Sequence, residues 1–274
     1  MKYCRFQVSG RPQYGLVETV AGREEITRLL VNAPEDSNGD MEDVPTRRVE
    51  PVSLSEATLL APVRPSKIVC VGRNYRDHAA ELGHDVPVEP LIFLKPPSAL
   101  LAPGGQIRRP KISNRVGHEG ELGVVLAKTC YKVGADEDVR PYILGYTCVN
   151  DVTARDLQEK DGQWTRAKGF DTFCPVGPWI VRREDVVFEN LRVRTRLDGE
   201  LNQDGSVQDM IFPVSAIIAF VTQFMTLEPG DLIATGTPSG VGPMQTGSTV
   251  SVEIDGIGVL QNRVVAAQHT AATP

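Results

Sequence analysis

The 274-residue sequence has no apolar run long enough to span a membrane, which argues against a helical membrane protein. It has no excess of positive charge. Its 29 Lys and Arg against 35 Asp and Glu leave a formal net charge of -6. That balance argues against nucleic acid or an anionic membrane as the main partner. It has no CxxC pair. Its five cysteines (Cys4, Cys70, Cys130, Cys148 and Cys174) are scattered and odd in number. This pattern favours reduced thiols over disulfides or a zinc site. None has a histidine beside it, which argues against a cysteine nucleophile. The opening Met1-Lys2-Tyr3-Cys4-Arg5-Phe6 lacks an apolar signal core, so a cytoplasmic protein is expected. There is no internal repeat and no low-complexity tract.

What is present reads mainly as β-structure. The length allows one large domain, or a small one plus a larger one. Residues 2–8 and 14–17 flank the turn Ser9-Gly10-Arg11-Pro12 and predict a hairpin. Residues 33–50 are polar and acidic and predict a loop. Ala61-Pro62-Val63-Arg64-Pro65-Ser66 marks the boundary of a small N-terminal domain over residues 1–62. Strands are expected at 67–72, 91–95, 142–149, 179–181, 191–197, 231–235 and 249–254. A short helix is expected over 73–83. Asp198-Gly199 is a hairpin signal. Residues 212–225 predict an amphipathic helix with a core stripe of Ile217, Ile218, Val221, Phe224 and Met225. The strands show no regular βαβ beat, which argues against a doubly wound sheet and for a mixed, mostly β fold.

The chemistry centres on Val116-Gly117-His118-Glu119-Gly120-Glu121-Leu122-Gly123-Val124-Val125-Leu126, a predicted buried strand. Residues i and i+2 of a strand share a face, so Glu119 and Glu121 project side by side. Gly120 points the other way and leaves room for a close neighbour. Two buried carboxylates repel. Either one is protonated, or a cation sits between them, or the strand is an edge and both face water. Asp151 follows a strand and precedes a short helix, where it can cap and can also ligate. Glu119, Glu121 and Asp151 with no Cys or His at ligand spacing form an all-oxygen set. Such a set suits Mg²⁺ first, then Mn²⁺ or Ca²⁺.

Asp151, Arg155 and Gln158 would share one helix face, either as a surface pair or as a holder of a substrate carboxylate. His78 and Glu81, spaced i, i+3, either form a solvated pair or a dyad in which Glu81 orients the imidazole. Lys95 ends an apolar strand, and Lys168 lies in an expected loop. Either could meet an anionic substrate. Gly236-Thr237-Pro238-Ser239-Gly240 lacks the Gly-Lys-Ser/Thr ending of a phosphate loop. It reads as a tight loop that presents Thr237 and backbone amides to a ligand. His118 reads as a packed histidine, and His84 and His269 have no assigned role.

Six motifs occur in order: Gly72-Arg73-Asn74-Tyr75 with Asp77-His78; Phe93-Leu94-Lys95-Pro96; His118-Glu119-Gly120-Glu121-Leu122-Gly123-Val124-Val125; Asn150-Asp151-Val152-Thr153-Ala154-Arg155-Asp156; Lys168-Gly169-Phe170-Asp171; and Thr235-Gly236-Thr237-Pro238-Ser239-Gly240-Val241-Gly242. Together, over roughly residues 65–260, they make the sequence resemble the fumarylacetoacetate hydrolase family. The resemblance is nearest to the branch of acylpyruvases, oxaloacetate decarboxylases or tautomerases, and 2-hydroxyhepta-2,4-diene-1,7-dioate isomerases.

The resemblance implies a mainly β catalytic domain with α+β elements over residues 63–274. That domain would be a mixed β-sandwich roll beside a small N-terminal α+β domain, usually in a homodimer. It implies Mg²⁺ or Mn²⁺ on Glu119, Glu121 and Asp151. It implies a catalytic set of His78, Glu81 and Lys168, with the dyad on a lid helix. It implies substrate contacts from Thr237, and from Arg73, Lys95, Arg155 and Gln158 in matching motifs. The expected substrate is a 2-oxo acid of dicarboxylic type, processed through a metal-stabilised enolate. The outcome would be acylpyruvate C–C hydrolysis or dienedioate isomerisation. Oxaloacetate decarboxylation or tautomerisation comes second, and a non-catalytic metal-binding protein third. Residues 1–62 and 84–90 are the variable segments expected to tune the substrate.

Overall fold

In the computed structural model, residues 1–8, 10–37, 44–81, 83 and 85–267 are described. His84, His269 and part of the expected 33–50 loop lie outside them. The largest sheet runs Thr46–Ser53, Arg23–Leu30, Arg11–Val20, Lys2–Val8, Cys174–Arg182, Ile143–Asn150, Gly120–Leu126, Leu232–Ala234, Ile68–Gly72, Leu91–Lys95. Its neighbours are mostly antiparallel, while Leu232–Ala234 and Ile68–Gly72 pair in parallel. A five-stranded sheet holds Glu200–Ser206, Arg192–Leu197, Thr249–Ile254, Gly258–Ala266 and Gln106–Arg109. A small third sheet joins Thr153–Ala154, Val116–His118 and Gly242–Pro243. Among the described residues the fold is mainly β, without a doubly wound sheet, in line with the expected class.

The Gly120–Leu126 strand is buried on both faces, which is why it reads as a nearly unbroken apolar run. Leu122, Val124 and Leu126 pack into a core with Val193, Val252 and Ile254 of the five-stranded sheet and with Ile217, Ile218 and Val221. Val125 points the other way, into a second core with Ile68, Cys70, Leu144 and Cys174. The two sheets approach closely at Gly120, where a Cβ would lie 2.1 Å from Thr195 Oγ1. Glycine is therefore required there, and the space expected behind Gly120 is filled by the facing sheet.

In residues 1–62 the described helical structure is one 3-10 turn, Pro34–Ser37, among five strands. Lys2 pairs with Val181, so this region extends the large sheet. It also has a core of its own, with Cys4, Phe6, Val17 and Ile26. The expected hairpin at Asp198-Gly199 forms, with both residues at positive φ (52° and 90°) as a two-residue turn of this hand requires. The long helix spans Val214–Thr222 and buries Ile217, Ile218 and Val221. It ends before Phe224, which is exposed against expectation and stacks edge-on with Phe220.

Candidate active site

The predicted 116–126 strand is broken. Val116–His118 belongs to the small sheet, Gly120–Leu126 to the large one, and Glu119 sits at the joint. The side chain of Asn150 bridges that joint, its Oδ1 accepting the Glu119 amide at 3.0 Å. The Asp151 amide then donates to the Glu119 carbonyl at 2.8 Å. These two bonds bring the strand end carrying Asp151 against the pair Glu119 and Glu121. One oxygen from each of the three carboxylates lies within 4.8 Å of the others, and all three residues are buried.

Asp151 does not cap the following helix. That helix is Arg155–Asp161, and Ala154 occupies the cap position without a side-chain bond. Two residues of the small sheet, Thr153–Ala154, intervene. Asp151 instead meets two lysines. Lys95 Nζ donates to its Oδ1 and Lys168 Nζ to its Oδ2, both at 2.5 Å. Lys168 is not in a loop but ends a short helix, Thr165–Lys168. Its ammonium also reaches Glu119 Oε2 and Thr153 Oγ1, each at 2.9 Å. Arg155 takes the other Glu119 oxygen at 2.5 Å and donates to Gln158 Oε1 at 3.1 Å. Arg155 and Gln158 thus share a helix face, as expected, while Asp151 stands outside the helix.

Burial would raise the Glu119 carboxyl, but Lys168 and Arg155 outweigh it and hold the group well below the usual carboxylate range. Burial would likewise lower Lys168, but Asp151 and Glu119 hold it above its ordinary value. Glu121 goes the other way. Burial and the facing Asp151 and Glu119 push it well above its ordinary value. The Gly236 amide donates to its Oε2 at 2.8 Å. Glu121 therefore needs a proton or a cation to be neutralised. The hard, buried, all-oxygen donor set fits a divalent cation.

His78 and Glu81 lie on the short helix Arg76–Glu81. Nδ1 of His78 is 3.3 Å from Glu81 Oε2. Burial lowers the His78 pKa from its ordinary 6.5, so the ring is neutral near pH 7. The Gly240 amide donates to both Glu81 oxygens at 3.1 and 3.2 Å, tying the helix to the 236–242 loop. The amides of Gly236 and Gly240 thus serve the carboxylates of the site rather than a ligand, contrary to the sequence-based expectation. The Thr237 hydroxyl is engaged twice. It donates to the Gly120 carbonyl and accepts from Gln203 Nε2, both at 2.8 Å.

Gln203 has no sequence signal beyond its place after a hairpin, yet it is buried at the centre of this network. Its Oε1 accepts the Gly120 amide at 2.9 Å and lies 3.3 Å from His118 Nδ1. Its Nε2 also donates to the Pro238 carbonyl at 2.7 Å. Trp164 likewise carries no sequence signal, and Thr153 is visible only as a residue of its motif. A cavity of about 1210 Å³ opens onto His78, Glu81, Glu119, Glu121, Arg155, Gln158, Lys168, Thr237 and Arg73. Lys95 stands behind it, 1% exposed. Arg155 Nη2 is buried and has no partner among the described residues.

Residues 67–265 match the family model described as fumarylacetoacetate (FAA) hydrolase, C-terminal, and residues 1–62 match Rv2993c-like, N-terminal. The chain is 43% identical to "Oxaloacetate tautomerase YisK" of Bacillus subtilis, over 77% of this chain and 74% of the relative. It superposes on the crystal structure of 2-hydroxyhepta-2,4-diene-1,7-dioate isomerase from Mycobacterium marinum with a TM-score of 0.85. The identity there is 41%, with 97% of this chain and 98% of that chain covered. It also superposes on maleylpyruvate hydrolase from Sphingobium sp. SYK-6 in complex with manganese(II) ion and pyruvate. That match has a TM-score of 0.79 and 30% identity, covering 98% of this chain and 100% of the other.

Proposed function

The chain belongs to the fumarylacetoacetate hydrolase family, and on that premise we propose a divalent-metal-dependent enzyme acting on a 2-oxo acid by acylpyruvate C–C hydrolysis or dienedioate isomerisation. One observation carries this reading. Two buried carboxylates, Glu119 and Glu121, a buried ammonium and a carboxylate-held neutral histidine open onto one cavity, with the buried Asp151 directly behind the pair. Buried charges cost several kcal/mol each to desolvate, so such a cluster is weak as a stabilising device and is suited to chemistry.

Glu119, Glu121 and Asp151 are the residues that would hold Mg²⁺ or Mn²⁺. When bound, that ion would supply Lewis-acid stabilisation of negative charge developing on the 2-oxo group. Lys168 places a second positive charge at the same end of the cavity. Arg155 offers Nη2, its unengaged donor, to a substrate carboxylate. Glu81, fixed by the Gly240 amide, orients His78 through Nδ1. Nε2 is left to move a proton or to activate water. Water attack on a second carbonyl gives hydrolysis, and proton transfer alone gives isomerisation.

A second reading, oxaloacetate tautomerisation, draws on the name of the B. subtilis relative. It needs only the proton transfer. The test is turnover of acetylpyruvate, fumarylpyruvate and oxaloacetate with Mg²⁺, before and after EDTA. Metal-dependent turnover of at least one is expected. None on any of the three would overturn the enzymatic reading and leave a non-catalytic metal-binding protein.

A further inference from the structure

Four lysine and arginine side chains line the cavity. Three of them are ion-paired. Lys168 bonds Glu119 and Asp151, Arg155 bonds Glu119, and Arg115 bonds Glu159. Arg73 makes no ion pair or hydrogen bond among the described residues. Its guanidinium instead lies 6.0 Å from the ring centre of Trp164. An arginine in a concave, partly desolvated wall with no anion beside it is a ready partner for a ligand carboxylate.

The backbone at Arg73 is held in an uncommon state. Its φ is 56°, in the left-handed region that costs a non-glycine residue energy. Both neighbours are held in place. On one side, Gly72 packs directly on the indole, and a Cβ there would meet Trp164 Cζ3 at 2.7 Å. On the other, Asn74 is completely buried. Its Nδ2 donates to the carbonyls of Phe212 and Thr235 at 3.0 and 2.8 Å. Its Oδ1 accepts the Phe212 amide at 2.8 Å. The backbone that carries Arg73 is therefore anchored on both sides.

Trp164 is itself held, edge-on to Phe93 at 5.2 Å. Lys168 Nζ lies 5.9 Å from the same indole centre. The sum of the two distances to that ring bounds the separation of Arg73 from Lys168. Both charges thus lie about the same indole, within reach of one small dicarboxylic acid.

We propose that Arg73, set over Trp164, binds the distal carboxylate of the substrate and makes the protein selective for 2-oxo dicarboxylic acids over 2-oxo monocarboxylic acids of equal length. This rests on the reading of the cavity as a 2-oxo acid site. Lys168 and Arg155 serve the end that reacts, and Arg73 reads the end that does not.

The test compares 2-oxoadipate with 2-oxohexanoate, which share a six-carbon chain and differ in the distal carboxylate. Affinities are measured by calorimetry on the Mg²⁺-loaded protein. The wild type should favour 2-oxoadipate by about tenfold or more, as expected for one charge-assisted contact. Arg73→Asn removes the charge with a residue that tolerates a left-handed backbone, and should bring the ratio of affinities close to one. Arg73→Lys keeps the charge and should keep part of the preference. Equal binding of both acids by the wild type, failure of the wild type to bind either, or an unchanged ratio in Arg73→Asn would each overturn the proposal. Turnover is scored separately. A preserved binding preference with no turnover of any substrate would sink the catalytic reading and leave the distal site standing.

Discussion

At the inner end of the cavity, Lys95, Lys168, Arg155, Glu119 and Asp151 all meet opposite charge at 2.5–2.9 Å. Both lysines are buried as completely as core leucines. At the outer wall, Arg115 and Glu159 pair with 59% and 65% of their side chains exposed. Arg73 there has no carboxylate partner among the described residues. The metal-ligating candidates at the inner end ride on strands or strand ends of the buried sheets. In the outer wall Glu159 lies on the Arg155–Asp161 helix, and Arg73 and Arg115 lie in loops. The difference separates two tasks. The sheets fix the three candidate metal ligands, where a small displacement is costly, while Lys168, Arg155 and His78 reach the reacting end from short helices. The loops hold the groups that read the rest of the substrate.

The comparison breaks most sharply at Glu119. Glu119→Ala should lose metal and reduce kcat by about a thousandfold or more, read by metal analysis and steady-state kinetics. Full metal content with full activity would remove Glu119 from the ligand set. Next is Lys95→Met. Removing one partner from a buried ion pair costs roughly 3–5 kcal/mol, so denaturant unfolding should show a loss near the lower end, because Lys168 still holds Asp151. An unchanged midpoint would mean that the inner cluster is not tightly coupled.

His78→Ala should lower kcat by about a hundredfold or more with metal content unchanged, and loss of metal would instead make His78 structural. The sign of its pH dependence follows from burial. The His78 pKa is below 6.5, so kcat/KM should hold down to that pH and fall only below it. Glu81 raises that pKa, so Glu81→Gln should move the acid limb lower still. A limb above pH 6.5 would contradict the buried neutral ring. Gln203→Leu should cost roughly 1–3 kcal/mol, because buried amides and carbonyls lose their partner. It should also raise KM through the released Thr237. Smallest of all, Arg115→Gln at the exposed rim should leave the melting temperature unmoved, since exposed pairs contribute little.

The triad was legible in the sequence, though through a strand that is not continuous. The i, i+2 spacing of Glu119 and Glu121 survives because Asn150 replaces the missing ladder bond at Glu119. The His78–Glu81 pairing was legible because i, i+3 on a helix is a local relation. Lys168 was visible as a motif residue but not as a buried one, since it is buried by contacts with distant chain segments. Gln203 was invisible. Its partners Gly120 and Thr237 lie 83 and 34 residues away, and nothing in Leu201-Asn202-Gln203 marks them.

The sequence by itself determined the mainly β class, the side-by-side carboxylates and the i, i+3 spacing of His78 and Glu81, because alternation, helical spacing and an all-oxygen donor set are local properties of residue order. Only the tertiary structure decided which charges are neutralised and which remain available. Lys95, Lys168 and Arg155 are turned onto Glu119 and Asp151 by segments remote in the chain, while Arg73, on a backbone anchored at Gly72 and Asn74, pairs with neither. Charge pairing depends on distance and burial, and both are set only when distant strands and loops pack against one another.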